Sequence, residues 1–335
     1  MTDPVVMVEA WRGGVAESAH RGHAVICDAK GEIRAAWGDS RAVILPRSSC
    51  KMLQALPLVE SGAGASLSEE RLALSCASHQ GAAMHVGRVA RWLEDIGLGE
   101  GDLRCGPQVP DDRAERARLR EGFEAPGQLH NNCSGKHAGF LTLGRHLGAG
   151  PEYVEIDHPV QLAVRAAFEE MTGAPSPGWG IDGCSAPNFA TTVHGLALAM
   201  ARMADPRGLG PVREAAARRL VGAMVAHALL VDGEGAATSE LMLAMCGRVA
   251  VKTGAEAVYV AILPEQGLGV ALKIEDGATR ASESAIAAIL VRLGAIDARH
   301  PAAARRLEPP VLSRRGAVAG AIRPAAAFWR GGAAL

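Results

Sequence analysis

The spacing of apolar residues divides the chain into strand-like ends and a helical middle. Short apolar runs bounded by turn residues predict strands, and apolar residues recurring every three or four positions predict amphipathic helices. The predicted strands cover residues 5–12, 23–28, 33–37, 248–254, 257–262 and 268–274. The predicted helices cover residues 84–96, 112–120, 140–147, 159–172, 192–203, 212–229 and 282–293. This pattern predicts an α/β fold of the α+β type, with one antiparallel sheet built from both chain ends and a mainly helical lobe inserted.

The same pattern predicts one catalytic unit over residues 1–300. We expect its sheet lobe to come from about 1–60 and 245–300 and its helical lobe from about 61–244. Residues 301–335 are rich in Ala, Arg and Pro, and we expect this tail to be partly disordered.

Composition narrows the class of protein. Of the 335 residues, 48% are hydrophobic and 21% charged, which is typical of a globular protein. The balance of 35 basic and 36 acidic residues, with few aromatic residues, argues against a nucleic-acid partner. The apolar runs are too short to span a bilayer, and no basic region follows Met1, so we expect a cytoplasmic protein. Seven cysteines without a Cys-x-x-Cys pair predict reduced thiols.

The first candidate for chemistry is the tetrad from Ser48 to Lys51. Pro46 stops regular structure, and Ser48 is a residue type that favours the N-cap of the helix predicted to follow. A serine and a lysine three residues apart share one helix face, where a neutral amine can accept the proton of the hydroxyl. An exposed pair without a role fits the tetrad equally well when it is taken alone.

Two further polar groups follow the tetrad in order, Ser78-His79-Gln80 and Lys252-Thr253-Gly254. The set resembles the Ser-x-x-Lys, Ser-x-Asn and Lys-Thr-Gly motifs of penicillin-recognising serine enzymes. Two serine–lysine pairs, Ser48 with Lys51 and Ser78 with Lys252, would then relay protons during acyl transfer. The chain departs from that pattern at Gln80, which stands where asparagine is usual, and in the short interval between Ser48 and Ser78.

Several motifs lie along the whole chain. One is the run of residues 131–139, Asn-Asn-Cys-Ser-Gly-Lys-His-Ala-Gly. The others are Ser48-Ser49-x-Lys51, Cys76-Ala77-Ser78-His79, Asp157-His158-Pro159-x-Gln161, Asp182-Gly183-Cys184 and Lys252-Thr253-Gly254-Ala255-Glu256. With these motifs the chain resembles the class 3, rhizobial-type L-asparaginases, and the run of residues 131–139 is the most specific part of the resemblance. The resemblance implies the fold of serine β-lactamases, a homodimer, and hydrolysis of L-asparagine to L-aspartate and ammonia.

The resemblance also assigns roles to individual residues. It implies that Ser48 is the nucleophile, Lys51 its base, and Ser78 with Lys252 the second serine–lysine pair. It further implies one zinc ion per subunit, which we expect to tune substrate affinity rather than to activate water. The implied zinc ligands are Cys133, Lys136 and Cys184. From spacing alone, two buried thiols are the favoured interpretation, because lysine is a rare zinc ligand.

Five more residues are candidates for substrate binding: Arg47, His79, Asn131, His137 and Asp182. Arg47 or His137 could bind the α-carboxylate of the substrate and Asp182 its α-ammonium, although each is also compatible with a supporting structural role. Gln80 and Ser185 both depart from the pattern of the family. Glycine often stands at the position of Ser185. Two alternatives stay open: a serine hydrolase of the same fold acting on another amide, an ester or a β-lactam, and a non-catalytic zinc-binding relative.

Overall fold

A computed structural model describes residues 3–330, whose strands are numbered here in chain order. They are β1 (Val5–Arg12), β2 (Val15–Asp28), β3 (Ile33–Trp37), β4 (Val43–Ile44), β5 (Trp179–Ile181), β6 (Pro187–Phe189), β7 (Thr191–Thr192), β8 (Ala250–Gly254), β9 (Val258–Leu263), β10 (Leu268–Ile274), β11 (Pro310–Leu312) and β12 (Val318–Pro324).

The helices of the same residues are also numbered in chain order. They are α1 (Lys51–Gln54), α2 (Leu56–Glu60), α3 (Glu69–Ser75), α4 (Ala83–Asp95), α5 (Arg113–Glu121), α6 (Ser134–His146), α7 (Pro159–Thr172), α8 (Val193–Ala204), α9 (Pro211–Ala226), α10 (Ala228–Val231), α11 (Ala237–Ala244), α12 (Thr279–Arg292), α13 (Pro301–Leu307) and α14 (Ala326–Arg330). Within residues 3–330, none of these helices combines the length and the apolar character needed to cross a bilayer.

The chain divides into two compact units. The sheet unit consists of the residues up to Ser49, Thr191–Asp205 and the residues from Glu240 onward, and the helical unit consists of Cys50–Ala190 and Pro206–Ser239. The main sheet therefore draws its strands from both ends of the chain, as the hydrophobic pattern predicts, and the α+β class is confirmed. The chain passes from the first unit to the second between Ser49 and Cys50, inside the Ser48–Lys51 tetrad.

The main sheet of the sheet unit is antiparallel throughout. Its strand order is β11-β12-β1-β2-β10-β9-β8, and β3 pairs with β2 beside this path. The long strand β2 pairs with β1 through its first half and with β10 and β3 through its second half, where it is almost fully buried. β10 approaches α8 closely at Gly269, where a methyl group would meet the Ala197 carbonyl and the Ala201 amide. Glycine is required at that contact because no side chain fits between the helix and the strand.

The carboxy-terminal segment differs from the predicted tail. Residues 301–330 form α13, β11, β12 and α14, and β12 pairs with β1. Leu307, Ile322 and Phe328 are buried, which supplies the apolar contacts that a disordered segment lacks. The Ala and Arg content of the sequence obscures these anchors. Residues 331–335 of the expected tail lie outside the described residues.

In the helical unit, α3 packs against α6 and α9, and α2 packs against α7 and α9. The helix α6 begins at Ser134, six residues before the predicted start at residue 140. Its first turn was difficult to predict because it carries polar side chains that are nonetheless buried, among them Lys136 and His137. Gly135 allows this burial, since a methyl group there would clash with the Leu74 carbonyl of α3.

Candidate active site

The tetrad adopts a tight turn rather than a capped helix. Residues Arg47–Cys50 form a 3₁₀ turn, and α1 begins at Lys51 with Cys50 at its N-cap. The predicted N-cap role of Ser48 is therefore wrong, because Ser48 lies within the turn. The turn is fixed by Ser49, whose amide and hydroxyl both donate to the Pro46 carbonyl, at 3.2 and 2.7 Å. Arg47 has a left-handed backbone with φ of 53°, which is unusual outside glycine and often accompanies functional sites.

The third polar group, Lys252-Thr253-Gly254, lies against this turn within the sheet unit. Lys252 lies on β8 and is completely buried, and its Nζ donates to the Thr253 carbonyl at 2.8 Å. Gly254 ends β8 so close to the turn that a methyl group would lie 2.6 Å from the Pro46 carbonyl oxygen. The glycine of the Lys-Thr-Gly motif is thus needed to bring the end of β8 against the turn that carries Ser48.

In the helical unit, Lys51 is the centre of the polar contacts. Its side chain is completely buried, and its Nζ lies 3.0 Å from the Ser78 hydroxyl and 3.1 Å from the Cys133 sulfur. The same Nζ donates to the Ala77 carbonyl. A lysine amine thus contacts a half-buried serine hydroxyl, which is an arrangement suited to proton transfer.

Ser78 is held by backbone pairing on either side. The Ser78 amide donates to the Val231 carbonyl at 2.8 Å, and the Gln80 amide donates to the Asp232 carbonyl at 2.9 Å. The Gln80 side-chain amide donates to the Glu234 carbonyl at 3.1 Å. Gln80, which departs from the penicillin-recognising pattern, therefore stabilises the loop that carries Ser78.

Both ring nitrogens of His79 form hydrogen bonds within the helical unit. Its Nδ1 accepts from the Gly81 amide at 3.1 Å, so its Nε2 carries the proton and donates to the Ser134 hydroxyl at 2.9 Å. Burial, reinforced by the neighbouring His85 and Lys51, holds the pKa of His79 well below its usual value. His79 is thus a neutral ring that ties the Ser78 loop to the start of α6.

The side-chain nitrogen and oxygen of Asn131 also form hydrogen bonds within the helical unit. Its side-chain amide donates to the Cys105 and Gly106 carbonyls at 2.9 and 3.0 Å, and its side-chain oxygen accepts from the Cys133 amide at 2.9 Å. These contacts shape the loop before α6.

Two thiols and an amine meet beside Lys51. Cys133 at the N-cap of α6, Lys136 on its first turn, and Cys184 in the turn after β5 are each at least 96% buried. The Lys136 Nζ lies 3.1 Å from the Cys184 sulfur, and the Cys133 thiol donates to the Asn132 side-chain oxygen at 3.0 Å. In residues 3–330, no group of three or more His, Cys, Asp or Glu side chains could hold a metal. A metal held by three side chains of this cluster would therefore include the Lys136 amine among its ligands.

The charges of the cluster are shifted by its own members. The neighbouring Cys133 side chain outweighs burial and, together with Lys136, holds the pKa of the Cys184 thiol well below its usual value. Cys184 and burial together raise the pKa of Cys133. Burial opposes the charge of Lys136, but Cys184, Cys133 and Asp182 together raise its pKa. These shifts favour the charged forms of Cys184 and Lys136 and the neutral form of Cys133.

The turn from Asp182 to Ser185 holds Cys184 in this position. The Asp182 carboxylate accepts from the Gly183 amide at 2.7 Å, and the Asp182 carbonyl accepts from the Ser185 amide at 2.8 Å. Ser185 has a left-handed backbone with φ of 69°, a conformation that glycine adopts without strain. This geometry explains why glycine suits the position.

His137 is completely buried on α6, one helical turn beyond Cys133. Its Nδ1 lies 2.9 Å from the hydroxyl of Tyr153. Burial and the Lys136 charge hold the pKa of His137 well below its usual value. Tyr153 was not predicted to be a site residue because it belongs to no motif, although the chain contains only two tyrosines.

The family is shown by comparison with known proteins. The family model described as L-asparaginase II matches residues 8–324. The chain belongs to the L-asparaginase II family, which places it among enzymes that act on amides. No curated protein matched the chain.

Solved structures similar to this chain include two kinds of protein. A structure titled Mglu in its tris and glutamate form shares 13% identity at a TM-score of 0.45, covering 90% of this chain and 64% of that chain. A β-lactamase from Mycobacterium bovis shares 15% identity at a TM-score of 0.41, covering 81% and 94%. A putative β-lactamase from Bacteroides dorei DSM 17855 shares 13% identity at a TM-score of 0.41, covering 76% and 84%.

Proposed function

We propose that this chain hydrolyses L-asparagine to L-aspartate and ammonia through a serine acyl-enzyme. Family membership supports amide hydrolysis. The observation that carries the serine chemistry is the buried Lys51 amine, 3.0 Å from the Ser78 hydroxyl. A lysine that is buried against a serine hydroxyl has the position of a general base rather than that of a surface charge.

In the proposed reaction Ser48 attacks the side-chain carbonyl carbon of L-asparagine and gives its proton to Lys51, three residues along the chain. The tetrahedral intermediate then expels ammonia, whose nitrogen takes up a proton as the carbon–nitrogen bond breaks. Water attacks the resulting ester, which releases L-aspartate and restores the Ser48 hydroxyl. The reaction needs the neutral amine of Lys51, since an ammonium has no lone pair to accept the proton.

Ser78 is the proposed carrier of the proton from Lys51 to the leaving nitrogen. After Lys51 has taken the Ser48 proton, its ammonium has three N–H groups, which can donate to the Ala77 carbonyl, the Cys133 sulfur and the Ser78 oxygen. Ser78 can then pass a proton toward the leaving nitrogen, and we propose Lys252 as its second partner, as the resemblance implies.

We propose that Cys133, Lys136 and Cys184 bind zinc. Two sulfurs and one nitrogen in a buried cluster suit the ligand preference of zinc, and metal binding would release the proton of Lys136. Bound zinc would supply a fixed positive charge that helps to hold an amino-acid substrate. We assign it no part in activating the nucleophile.

For substrate binding we propose Arg47 and His137 for the α-carboxylate and Asp182 for the α-ammonium. The hydrogen bonds of His79 and Asn131 support a different role for these two residues, which we propose to position the loops around Ser78 and Cys133. The homodimer and the cytoplasmic location stay predictions.

Ammonia release tests the proposed function. Purified protein should release ammonia from L-asparagine faster than from L-glutamine and should leave a chromogenic β-lactam intact. Ser48→Ala should abolish release, whereas Ser61→Ala, at an exposed serine, should match the wild type. Mass spectrometry of the quenched enzyme should place the acyl group on Ser48. An active Ser48→Ala variant, or an acyl group on Ser78, would reverse the assignment of the two serines.

Metal analysis tests the zinc proposal separately. Cys133→Ala and Cys184→Ala should each lower the zinc content of the purified protein. Cys105→Ala is the matched control, because Cys105 is also a buried thiol but donates to the Gln128 carbonyl. Equal zinc content in all three variants would contradict the proposed ligands.

A further inference from the structure

One ring nitrogen of His137 is buried without a partner. The side chain is completely buried, and among residues 3–330 its Nε2 has no hydrogen-bond partner, whereas its Nδ1 lies 2.9 Å from the Tyr153 hydroxyl. A buried polar atom without a partner costs free energy, and such atoms are concentrated where a ligand completes the hydrogen bonding.

The Tyr153 hydroxyl determines which nitrogen carries the proton. Tyr153 is 1% exposed, and its oxygen accepts from the Arg104 amide at 2.7 Å. If His137 carried its proton on Nδ1, both Nδ1 and Arg104 would donate to the tyrosine oxygen, and the hydroxyl hydrogen would need a third partner. If the proton is on Nε2, the Tyr153 hydroxyl donates to Nδ1 and every group of the pair is satisfied except Nε2–H. Hydrogen-bond counting therefore favours the Nε2–H form.

The surroundings of this N–H suit an anionic oxygen. His137 follows Cys133 by four residues on α6, so the two side chains share one helix face. That face also carries the contact between the Cys133 sulfur and the Lys51 amine. A buried N–H donor without a protein partner is complementary to a carboxylate oxygen, which can only accept hydrogen bonds when ionised.

We propose that Tyr153 is a positioning residue that locks His137 in its Nε2–H form, and that this N–H donates to a carboxylate oxygen of the amino-acid substrate. The identity of the ligand rests on the proposed function, whereas the lock between Tyr153 and His137 does not.

Two amide replacements at His137 separate the nitrogens. The side-chain nitrogen of glutamine takes the place of Nε2, and that of asparagine takes the place of Nδ1. Tyr153→Phe in the wild-type background should raise the KM for L-asparagine about tenfold and change kcat less than about twofold, because it releases the lock without removing the ring. In a His137→Gln background, Tyr153→Phe should have no further effect on KM. His137→Asn should bind substrate more weakly than His137→Gln.

A second readout does not depend on turnover. Nitrogen NMR of the wild type should show His137 with its proton on Nε2, and the Tyr153→Phe protein should show a mixture of both forms. Calorimetric titration of the Ser48→Ala protein with L-aspartate should show weaker binding when Tyr153→Phe is added. If no variant or wild-type protein releases ammonia, the proposed function fails, but these two measurements still decide the inference.

Three outcomes would overturn the proposal. One is a proton on Nδ1 in the wild type. Another is an equal KM increase from Tyr153→Phe in the wild-type and His137→Gln backgrounds. The last is a KM increase that follows loss of zinc in the Tyr153→Phe protein, since that would mean a structural effect through the neighbouring Lys136.

Discussion

Lys51 and Lys136 are two buried lysines of the helical unit, but their surroundings differ. Lys51 meets a carbonyl oxygen, a hydroxyl and the Cys133 thiol, whose pKa is raised, so each of these acceptors is neutral. Lys136 meets Cys184, whose pKa is lowered, and is also influenced by the Asp182 carboxylate. Anions that accompany a buried amine stabilise its charge, whereas neutral acceptors do so far less.

The difference teaches that burial alone does not assign the role of a lysine. Lys51 has the surroundings of a base. Lys136 has the surroundings of a structural cation or, once a metal has displaced its proton, of a ligand. Four predictions test this contrast, beginning with the largest expected effect.

Replacement of Lys51 should have the largest effect. Lys51→Met keeps the length of the side chain and removes the amine, so kcat for L-asparagine should fall about 10³-fold, the usual contribution of a general base. Ammonia release measures the loss, and thermal melting checks that the protein is folded. Lys30→Met, at an exposed turn lysine, is the control and should match the wild type. A Lys51→Met variant within tenfold of the wild type would mean that Lys51 is not the base.

Replacement of Lys136 should act on metal rather than on the chemical step. Lys136→Met should weaken zinc binding by at least about 10–100-fold, since losing a ligand costs no less than losing a group that supports one. The KM for L-asparagine should rise more than kcat falls. Zinc content and steady-state kinetics measure the two effects. A large fall in kcat with full zinc content would make the two lysines alike and would remove the contrast.

Burial of a neutral histidine should produce a pH-dependent stability. Burial lowers the pKa of His85, which donates to the Leu229 carbonyl at 3.0 Å and stacks on His79 at 4.8 Å. Because the unfolded chain binds the proton more readily, stability should fall as the pH drops below about 6.5, by up to about 1.4 kcal/mol per pH unit for each such histidine.

His85→Gln keeps a donor for the Leu229 carbonyl and removes the titration. Its free energy of unfolding, measured with urea between pH 7.5 and 5.5, should therefore fall less steeply with acid than that of the wild type. His146→Gln, at an exposed histidine, should leave the slope unchanged. An identical slope in the His85→Gln protein would show that His85 does not contribute.

The smallest effect concerns the turn that holds Cys184 against Lys136. Ser185→Gly should relieve the left-handed backbone and stabilise the protein by about 0.5 kcal/mol. Ser185→Ala keeps a side chain in the same conformation and should give no gain. Thermal melting of the two variants measures the difference, and a destabilised glycine variant would contradict the explanation.

The repeating hydrophobic pattern predicted the regular elements well. The helix α7 has its predicted bounds, because a proline marks its start and Gly173 its end. β1, β3 and β10 also have their predicted bounds. The strand β12 was missed because its partner β1 lies near the other end of the chain, and β11 was missed because it pairs with β12 rather than showing a pattern of its own.

The site was less predictable than the fold. Motifs identified the serines, lysines and thiols, but the hydrogen bond from Lys51 to Ser78 depends on how α1 meets the loop after α3, which sequence spacing does not encode. The same limit explains His79 and Asn131, whose partners are backbone groups of other segments. Their residue types suggested substrate binding, and their hydrogen bonds support structural positioning.

The pairing of β1 with β12 bears on how the protein is made. Val8 lies opposite Pro324, so β1 meets one of its neighbours only after β12 has been synthesised. Such distant contacts slow folding, and until they form the edge of β1 is open to pairing with another chain. The ribosome-bound protein should therefore depend on chaperones that shield this edge until β12 arrives.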